Sequence, residues 1–130
     1  MVQVRYIVTD VDTAITFYCK LLNFHLDMHP APAFAMISLG DLQLIPSAPN
    51  PEGGGQPMPD GTSQKPGGLN RFAIEVTDLK AIAESLRQDN VHFHSEIITD
   101  VGAKQIILDN SSGNPIELFE PIIPEARLAK

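Results

Sequence analysis

The sequence predicts an α+β fold built from two tandem βαβββ modules, which together form a curved mixed sheet around a groove. Three observations carry this prediction. The order strand, helix and three strands occurs twice along the 130 residues, and the segment Val8–Val11 of the first copy is echoed by Val76–Leu79 in the second. A third observation is the stretch rich in proline and glycine between the copies, which interrupts regular structure. Such internal repetition indicates a duplicated unit.

The first module opens with apolar and β-branched residues that alternate from Gln3 to Thr9, which predicts a strand. Asp10 and Asp12 then provide carboxylates that can cap a helix, and apolar residues follow at helical spacing up to Leu22. Three further strands are predicted, at 24–28, 34–39 and 41–45, with a hairpin turn at Leu39-Gly40-Asp41.

The second module repeats this order. A strand is predicted from Asn70 to Val76, and Asp78 repeats the helix cap. The helical stripe of Ile82, Leu86 and neighbouring alanines extends to Arg87. Three strands follow, predicted at 91–98, 104–109 and 115–120.

The predicted organisation is a single domain over residues 1–130. Its parts are module one (1–45), a connector (46–68), module two (69–122) and a C-terminal tail (123–130). The connector holds six of the eleven prolines and six of the nine glycines, a density that suppresses helix and strand. A loop of this length is typical of a lid, a binding loop or a linker.

Composition excludes several classes of function. The formal net charge of -7 argues against nucleic acid and against anionic membranes as partners, because both attract Lys and Arg. No apolar run approaches the roughly 20 residues of a membrane helix, and no signal peptide is evident at Met1–Arg5. Cys19 is the only cysteine, so it cannot form an internal disulfide, and a cytoplasmic location is predicted. Its position within the helix favours a buried apolar role.

Two segments carry a family resemblance. Tyr6–Asp12 is followed by Phe17-Tyr18 and Leu21–Phe24, and the chain closes with Leu108–Phe119. In order and spacing these segments resemble the vicinal oxygen chelate superfamily, which includes glyoxalase I, extradiol dioxygenases, fosfomycin-resistance transferases and bleomycin-binding proteins. Asn23 stands where the family usually has glycine, and asparagine also tolerates left-handed backbone. The resemblance implies a small-molecule groove and a homodimer.

In members that use a metal, each module donates a ligand from its first and its last strand. The matching positions here are Gln3, Gln43, Arg71 and Glu117. Only Glu117 is a strong ligand, and the Arg71 guanidinium has no lone pair and stays charged. We therefore expect no metal cofactor at these positions. The alternatives for Arg71 are an ion pair with Glu117 or a bidentate bond to a ligand carboxylate or phosphate.

Polar residues alternate at His25, Asp27 and His29, and histidines alternate at His92 and His94, patterns that are compatible with metal binding. Because apolar residues alternate with them, a solvent-facing strand surface explains the pattern better.

Two functions of different class fit the sequence. The first is a module that binds a small organic molecule without a tightly bound metal. The second is a lyase or isomerase resembling glyoxalase I, with Glu117 as general base and Arg71 as electrostatic stabiliser. The predicted ligand-binding residues are Gln3, Arg5, Gln43, Arg71, Glu117 and Phe119, and all of them except Phe119 are expected to converge on one concave sheet face. The catalytic candidate is Glu117.

Overall fold

A computed structural model describes residues 2–49, 54–68 and 70–128. The chain divides into two compact units. The first comprises Met1–Gly68 with Ser111–Asn114, and the second comprises Leu69–Asn110 with Pro115–Lys130. Each unit contains one four-stranded mixed sheet and one α-helix, as the two-module prediction requires. Within the described residues no helix is both long and apolar enough to span a membrane.

In the first unit, one strand precedes the helix along the chain and three strands follow it. Its elements are β1 (Val2–Ile7), α1 (Val11–Thr16) with a π-helical turn (Phe17–Leu21), β2 (His25–Ala31), β3 (Phe34–Leu39) and β4 (Leu42–Ser47). The strand order is β1-β4-β3-β2, and β1 is parallel to β4 while the other neighbours are antiparallel. The parallel pair sets Gln3 beside Gln43 in register.

Local sequence signals explain where these elements begin and end. The Asp10 side chain accepts a hydrogen bond from the Thr13 amide at 2.9 Å, which caps α1 as predicted. Asn23 has a φ of 60°, which confirms its left-handed conformation after the helix. Gly40 has a φ of 58° in the two-residue turn between β3 and β4, which confirms the predicted hairpin.

The core of the first unit lies between α1 and one face of the sheet. Tyr18 is fully buried, and its ring makes an edge contact with Phe24 at a centroid distance of 5.1 Å. Ile37 and Leu44 are paired in register and are also fully buried. Strand alternation sends the neighbouring positions, among them Gln43, to the opposite face.

The second unit repeats the first. Its elements are β5 (Phe72–Glu75), α2 (Leu79–Gln88), β6 (Ile98–Asp100), β7 (Ala103–Asp109), β8 (Pro115–Pro121) and a 3₁₀ turn (Pro124–Ala126). The order is β5-β8-β7-β6, with β5 parallel to β8. Asp78 caps α2 by accepting from the Ala81 amide at 3.2 Å, as predicted. Asn90, with a φ of 61°, takes the left-handed conformation that Asn23 takes in the first unit.

One predicted strand is wrong. The segment 91–98 was expected to be continuous, but it pairs only through an isolated bridge between Phe93 and Leu108, bends at 94–96 and resumes as β6 at Ile98. The bend has side-chain partners of its own. The Ser95 hydroxyl donates to the Glu96 carbonyl at 2.9 Å, and Arg87 holds the Glu96 carboxylate at 3.0 Å. The Ser95 contact offers the backbone carbonyl of Glu96 an alternative to the sheet ladder.

The two faces of the second sheet differ in chemistry. Buried residues of β7 and β8 share one face with the apolar side of α2. These residues are Ile106, Leu108, Ile116 and Leu118 from the sheet and Leu79, Ala83 and Leu86 from the helix. Because side chains alternate along a strand, Glu117 and Asp109 project from the opposite face. That face is called the polar face below.

Candidate functional site

In the first unit, a chain of polar contacts crosses the sheet face opposite α1. The Gln3 amide donates to the Gln43 carbonyl at 2.6 Å, and the Gln43 amide donates to Asp27 at 3.0 Å. The Ser38 hydroxyl and the His25 ring contact the other Asp27 oxygen, each at 3.0 Å. Both polar atoms of Gln43 are therefore already engaged, one as acceptor and one as donor.

Asp27 is the charged centre of this network. The hydrogen bond from Gln43 contributes most to lowering the pKa of its carboxyl group, and bonds from His25 and Ser38 act in the same direction. Hydrogen bonds donated to a carboxylate favour the ionised form. Sequence reasoning noted Asp27 only in its alternation with His25 and His29, and did not predict it as a ligand-binding residue.

Arg5 is held within the first unit. Its Nη1 atom donates to the Ser47 hydroxyl at 2.9 Å. A methyl group added at Gly54 would lie 2.0 Å from that nitrogen, so the connector backbone packs directly against the guanidinium. Glycine at position 54, with a φ of +85°, permits this approach. A ligand-binding role for Arg5 stays a prediction.

In the second unit, Arg71 and Glu117 form the ion pair that was one of the two predicted arrangements. Arg71 Nε and Nη2 lie 3.1 Å and 3.0 Å from the same oxygen, Oε1 of Glu117. The Glu117 side chain is 18% exposed and that of Arg71 is 34% exposed, so the pair is shielded on the carboxylate side. In register, Glu117 stands between Ala73 and Ile107, and Phe119 stands between Glu75 and Gln105 on the same face.

The polar face of the second unit also holds a group of three side chains, of which sequence reasoning weighed His92 and His94 but missed Asp109. His92 Nδ1 lies 2.9 Å from Asp109 Oδ2, and His94 Nε2 lies 2.7 Å from Asp109 Oδ1. The imidazoles are exposed, as the alternation predicted, but Asp109 is 15% exposed and binds both. The signal was available in part, because Asp109 ends the strand predicted at 104–109 and follows two alternating histidines.

Comparison with known proteins identifies the fold. The family model described as the Glyoxalase/Bleomycin resistance protein/Dioxygenase superfamily matches residues 1–118. The chain belongs to this superfamily. A search of curated proteins finds no match.

Solved structures with the same fold align with nearly the whole chain at low sequence identity. A lactoylglutathione lyase from Agrobacterium tumefaciens has a TM-score of 0.70 at 14% identity, covering 92% of each chain. TnmS3, an antibiotic binding protein from Streptomyces sp. CB03234, has a TM-score of 0.70 at 20% identity, covering 92% of this chain and 93% of its own. A superfamily member from Sphaerobacter thermophilus DSM 20745 has a TM-score of 0.70 at 22% identity, covering 91% and 94%. At these identities the similarity establishes the fold.

The side chains at the four positions that the resemblance matches to metal ligands do not fit a metal. In the first unit Gln3 and Gln43 are bonded to each other, and the Gln43 carbonyl that a metal would need accepts the Gln3 amide. In the second unit the Arg71 guanidinium contacts Glu117, the one anion among the four. A divalent ion needs several unprotonated imidazoles or carboxylates, and it would repel the arginine. These positions therefore supply a cation and two amides in place of ligands.

Cys19 is not a candidate nucleophile. Burial raises the pKa of its thiol, and the negative charge of Asp27 raises that pKa further. A thiol attacks as the thiolate, so a raised pKa lowers its reactivity at neutral pH.

Proposed function

We propose that this protein binds a small organic molecule on the polar face of its second unit, without a tightly bound metal. The observation that carries the proposal is the Arg71–Glu117 ion pair, which occupies two of the four positions where metal-using relatives place ligands. A guanidinium is a strong, always charged donor of hydrogen bonds, so it suits a ligand carboxylate or phosphate.

The surroundings of the pair support a ligand with apolar and anionic parts. Ile107 and Phe119 are partly buried and share the face with Glu117. They provide apolar contact area, while Arg71 provides the polar anchor that fixes orientation, which is the usual division of roles in small-molecule sites. The predicted contribution of Gln3, Arg5 and Gln43 to ligand binding is retained as part of the proposal.

The fold is shared with TnmS3, an antibiotic binding protein, which supports small-molecule binding as the proposed function. We extend the proposal to a cytoplasmic homodimer with a symmetric interface. Light scattering at micromolar concentration tests the dimer, and a monomer would contradict it.

A second candidate function rests on the unused oxygen of Glu117. Both Arg71 contacts go to Oε1, and within residues 2–49, 54–68 and 70–128 no other group is bonded to Oε2. That oxygen is placed to accept a proton from carbon next to a carbonyl, and Arg71 is placed to stabilise the resulting enediolate. The superfamily's lyase from Agrobacterium tumefaciens bears a name consistent with such chemistry.

The binding proposal is tested with paired small molecules by nuclear magnetic resonance. Aromatic and aliphatic carboxylates are titrated alongside their neutral amides into uniformly labelled wild type and into Arg71→Met. Arg87→Met is the matched control, because Arg87 is also an arginine of the second unit, paired with Glu96 at 3.0 Å and 39% exposed. We expect at least one carboxylate to shift the resonances of residues near Glu117 in the wild type. The same carboxylate should bind Arg71→Met at least tenfold more weakly than the wild type, a difference of about 1.4 kcal/mol in binding free energy.

Equal affinities for wild type, Arg71→Met and the control would contradict the proposed anchor. The enzyme alternative is tested on the same samples in deuterated water, by following deuterium exchange next to the carbonyl of bound keto compounds. Exchange by wild type that is absent in Glu117→Gln would favour the enzyme.

A further inference from the structure

We propose that His92, His94 and Asp109 form a binding site for a divalent transition-metal ion of the zinc class. The site is separate from the Gln3, Gln43, Arg71 and Glu117 positions and does not depend on the function proposed for them. One facing atom from each of the three side chains lies within 4.8 Å of the other two. All three residues belong to the second unit.

The backbone brings the three side chains together. Phe93 and Leu108 form an antiparallel bridge, flanked by hydrogen bonds from the His94 amide to Ile107 at 2.8 Å and from the Asp109 amide to His92 at 2.9 Å. This pattern sets His92 directly opposite Asp109, and side chains at opposed positions lie within contact distance. His94 follows two residues later on the same face and reaches Asp109 diagonally.

The segment that carries the histidines is anchored from its other side. Phe93 lies between the two histidines in sequence and faces away from them, and the Arg87 guanidinium lies 5.2 Å from its ring centroid. Arg87 also holds Glu96 at 3.0 Å. The Arg87 guanidinium is therefore engaged on the opposite side of the segment, so it does not compete with a metal beside Asp109.

The geometry is close to that of a three-ligand metal site. Zinc binds imidazole nitrogen and carboxylate oxygen at about 2.0–2.2 Å, which places ligand atoms roughly 3.3–3.6 Å apart. The distances from His94 Nε2 and His92 Nδ1 to the Asp109 carboxylate oxygens are 2.7 and 2.9 Å, slightly shorter than the separation of ligand atoms around zinc. The centroids of the two imidazole rings are 5.5 Å apart. Both rings are exposed, at 72% and 48% of the side chain, so small rotations open the space for an ion.

The donor set selects the metal. Two imidazoles and one carboxylate suit zinc, nickel, cobalt or copper, whereas calcium and magnesium require oxygen ligands. To ligate, each facing nitrogen gives up its proton, and the ring's other nitrogen carries it instead. The protein supplies three ligands, so water or another molecule completes the coordination.

The first unit offers an internal comparison. His25 contacts Asp27 at 3.0 Å, but His29 is directed to Asp12 at 3.9 Å. The two histidines therefore do not share a carboxylate. Within the described residues, the His92, His94 and Asp109 group is the one with three potential ligand atoms in mutual reach.

The test is calorimetric titration of zinc into tag-free, chelator-treated protein. We expect one equivalent to bind the wild type, with affinity reduced at least tenfold in His94→Gln and in Asp109→Asn. His25→Gln/His29→Gln is the matched control and should bind zinc like the wild type. Histidine ring spectra recorded with zinc should shift for His92 and His94 and not for His25 and His29. This readout on the wild type covers the case in which a variant does not fold.

Three results would overturn the proposal. They are the absence of stoichiometric zinc in the wild type, full affinity in His94→Gln and Asp109→Asn, or loss of binding in the His25→Gln/His29→Gln control. Glu117→Gln separates this site from the proposed function. If Glu117→Gln abolishes zinc binding while His94→Gln retains it, the metal lies at the superfamily positions, and both proposals fail. If Arg71→Met leaves ligand binding unchanged while zinc binding follows His94, only the proposed function fails.

Discussion

The ion pair between Arg71 and Glu117 gives the most quantitative prediction. Its two side chains are 34% and 18% exposed, so the pair is intermediate between a surface pair and a buried one. Exposed pairs couple by about 0.2–1 kcal/mol, and removal of one partner of a buried pair costs about 3–5 kcal/mol. We therefore expect a coupling free energy of about 1–2 kcal/mol between Arg71→Met and Glu117→Gln.

The two single variants should differ in how much they lower the free energy of unfolding. Arg71→Met leaves a mostly buried carboxylate without its cation, whereas Glu117→Gln leaves an arginine that can reach water. Arg71→Met should therefore be the more destabilising, by up to about 2 kcal/mol, or roughly 5–8 °C in Tm for a chain of this size.

Urea unfolding followed by circular dichroism of the wild type, both single variants and the double variant measures the coupling. The Arg87→Met and Glu96→Gln pair is the matched control. Glu96 is 91% exposed, so that cycle should give less than about 0.5 kcal/mol. A coupling for Arg71 and Glu117 no larger than the control would refute the reasoning that shielding strengthens the pair.

Three further predictions follow from the described contacts. Asn114 is 3% exposed, and its side chain accepts a hydrogen bond from the Gly67 amide at 2.7 Å and donates one to the Ile7 carbonyl at 2.7 Å. Asn114→Ala should therefore lower the free energy of unfolding, measured with urea, by about 2–3 kcal/mol. An unchanged urea midpoint would contradict this prediction. The lowered pKa of Asp27 means that its hydrogen bonds stabilise the fold above the ordinary pKa of 3.8, and that this stabilisation is lost as pH falls through the lowered pKa. Thermal melts should therefore show wild type more stable than Asp27→Asn at pH 7, with the difference vanishing in strong acid, and a constant difference would exclude the mechanism. Cys19, whose thiol pKa is raised by burial, should react with Ellman's reagent more slowly than free cysteine at pH 8, and equal rates would show that the thiol is accessible and ionised.

Periodicity and capping predicted most of the fold. The helix caps at Asp10 and Asp78 were predicted from residue type alone, because a carboxylate before an apolar helical stripe satisfies unpaired amides. The hairpin at Gly40 was predicted from its turn residues. Because these signals are local in sequence, the elements can be predicted from them without knowledge of the tertiary structure.

Interactions between segments distant in sequence were harder to predict. The break at 94–96 coincides with side-chain contacts of Ser95 and Glu96, which strand periodicity does not encode. The grouping of His92 and His94 on Asp109 depends on cross-strand register, which a single sequence does not specify. The Arg71–Glu117 pair was anticipated because the family resemblance supplied that register.

We propose that Gln3, Gln43, Arg71 and Glu117, which the resemblance matches to metal ligands, hold no metal, and that Arg71 and Glu117 bind a ligand instead. The most direct test is zinc titration by calorimetry into a His92→Gln/His94→Gln variant, in which the proposed second site has been removed. We expect no stoichiometric zinc binding, because the Arg71 cation lies 3.0 Å from Glu117, the one carboxylate of the set. One tightly bound equivalent of zinc that disappears on Glu117→Gln would contradict it.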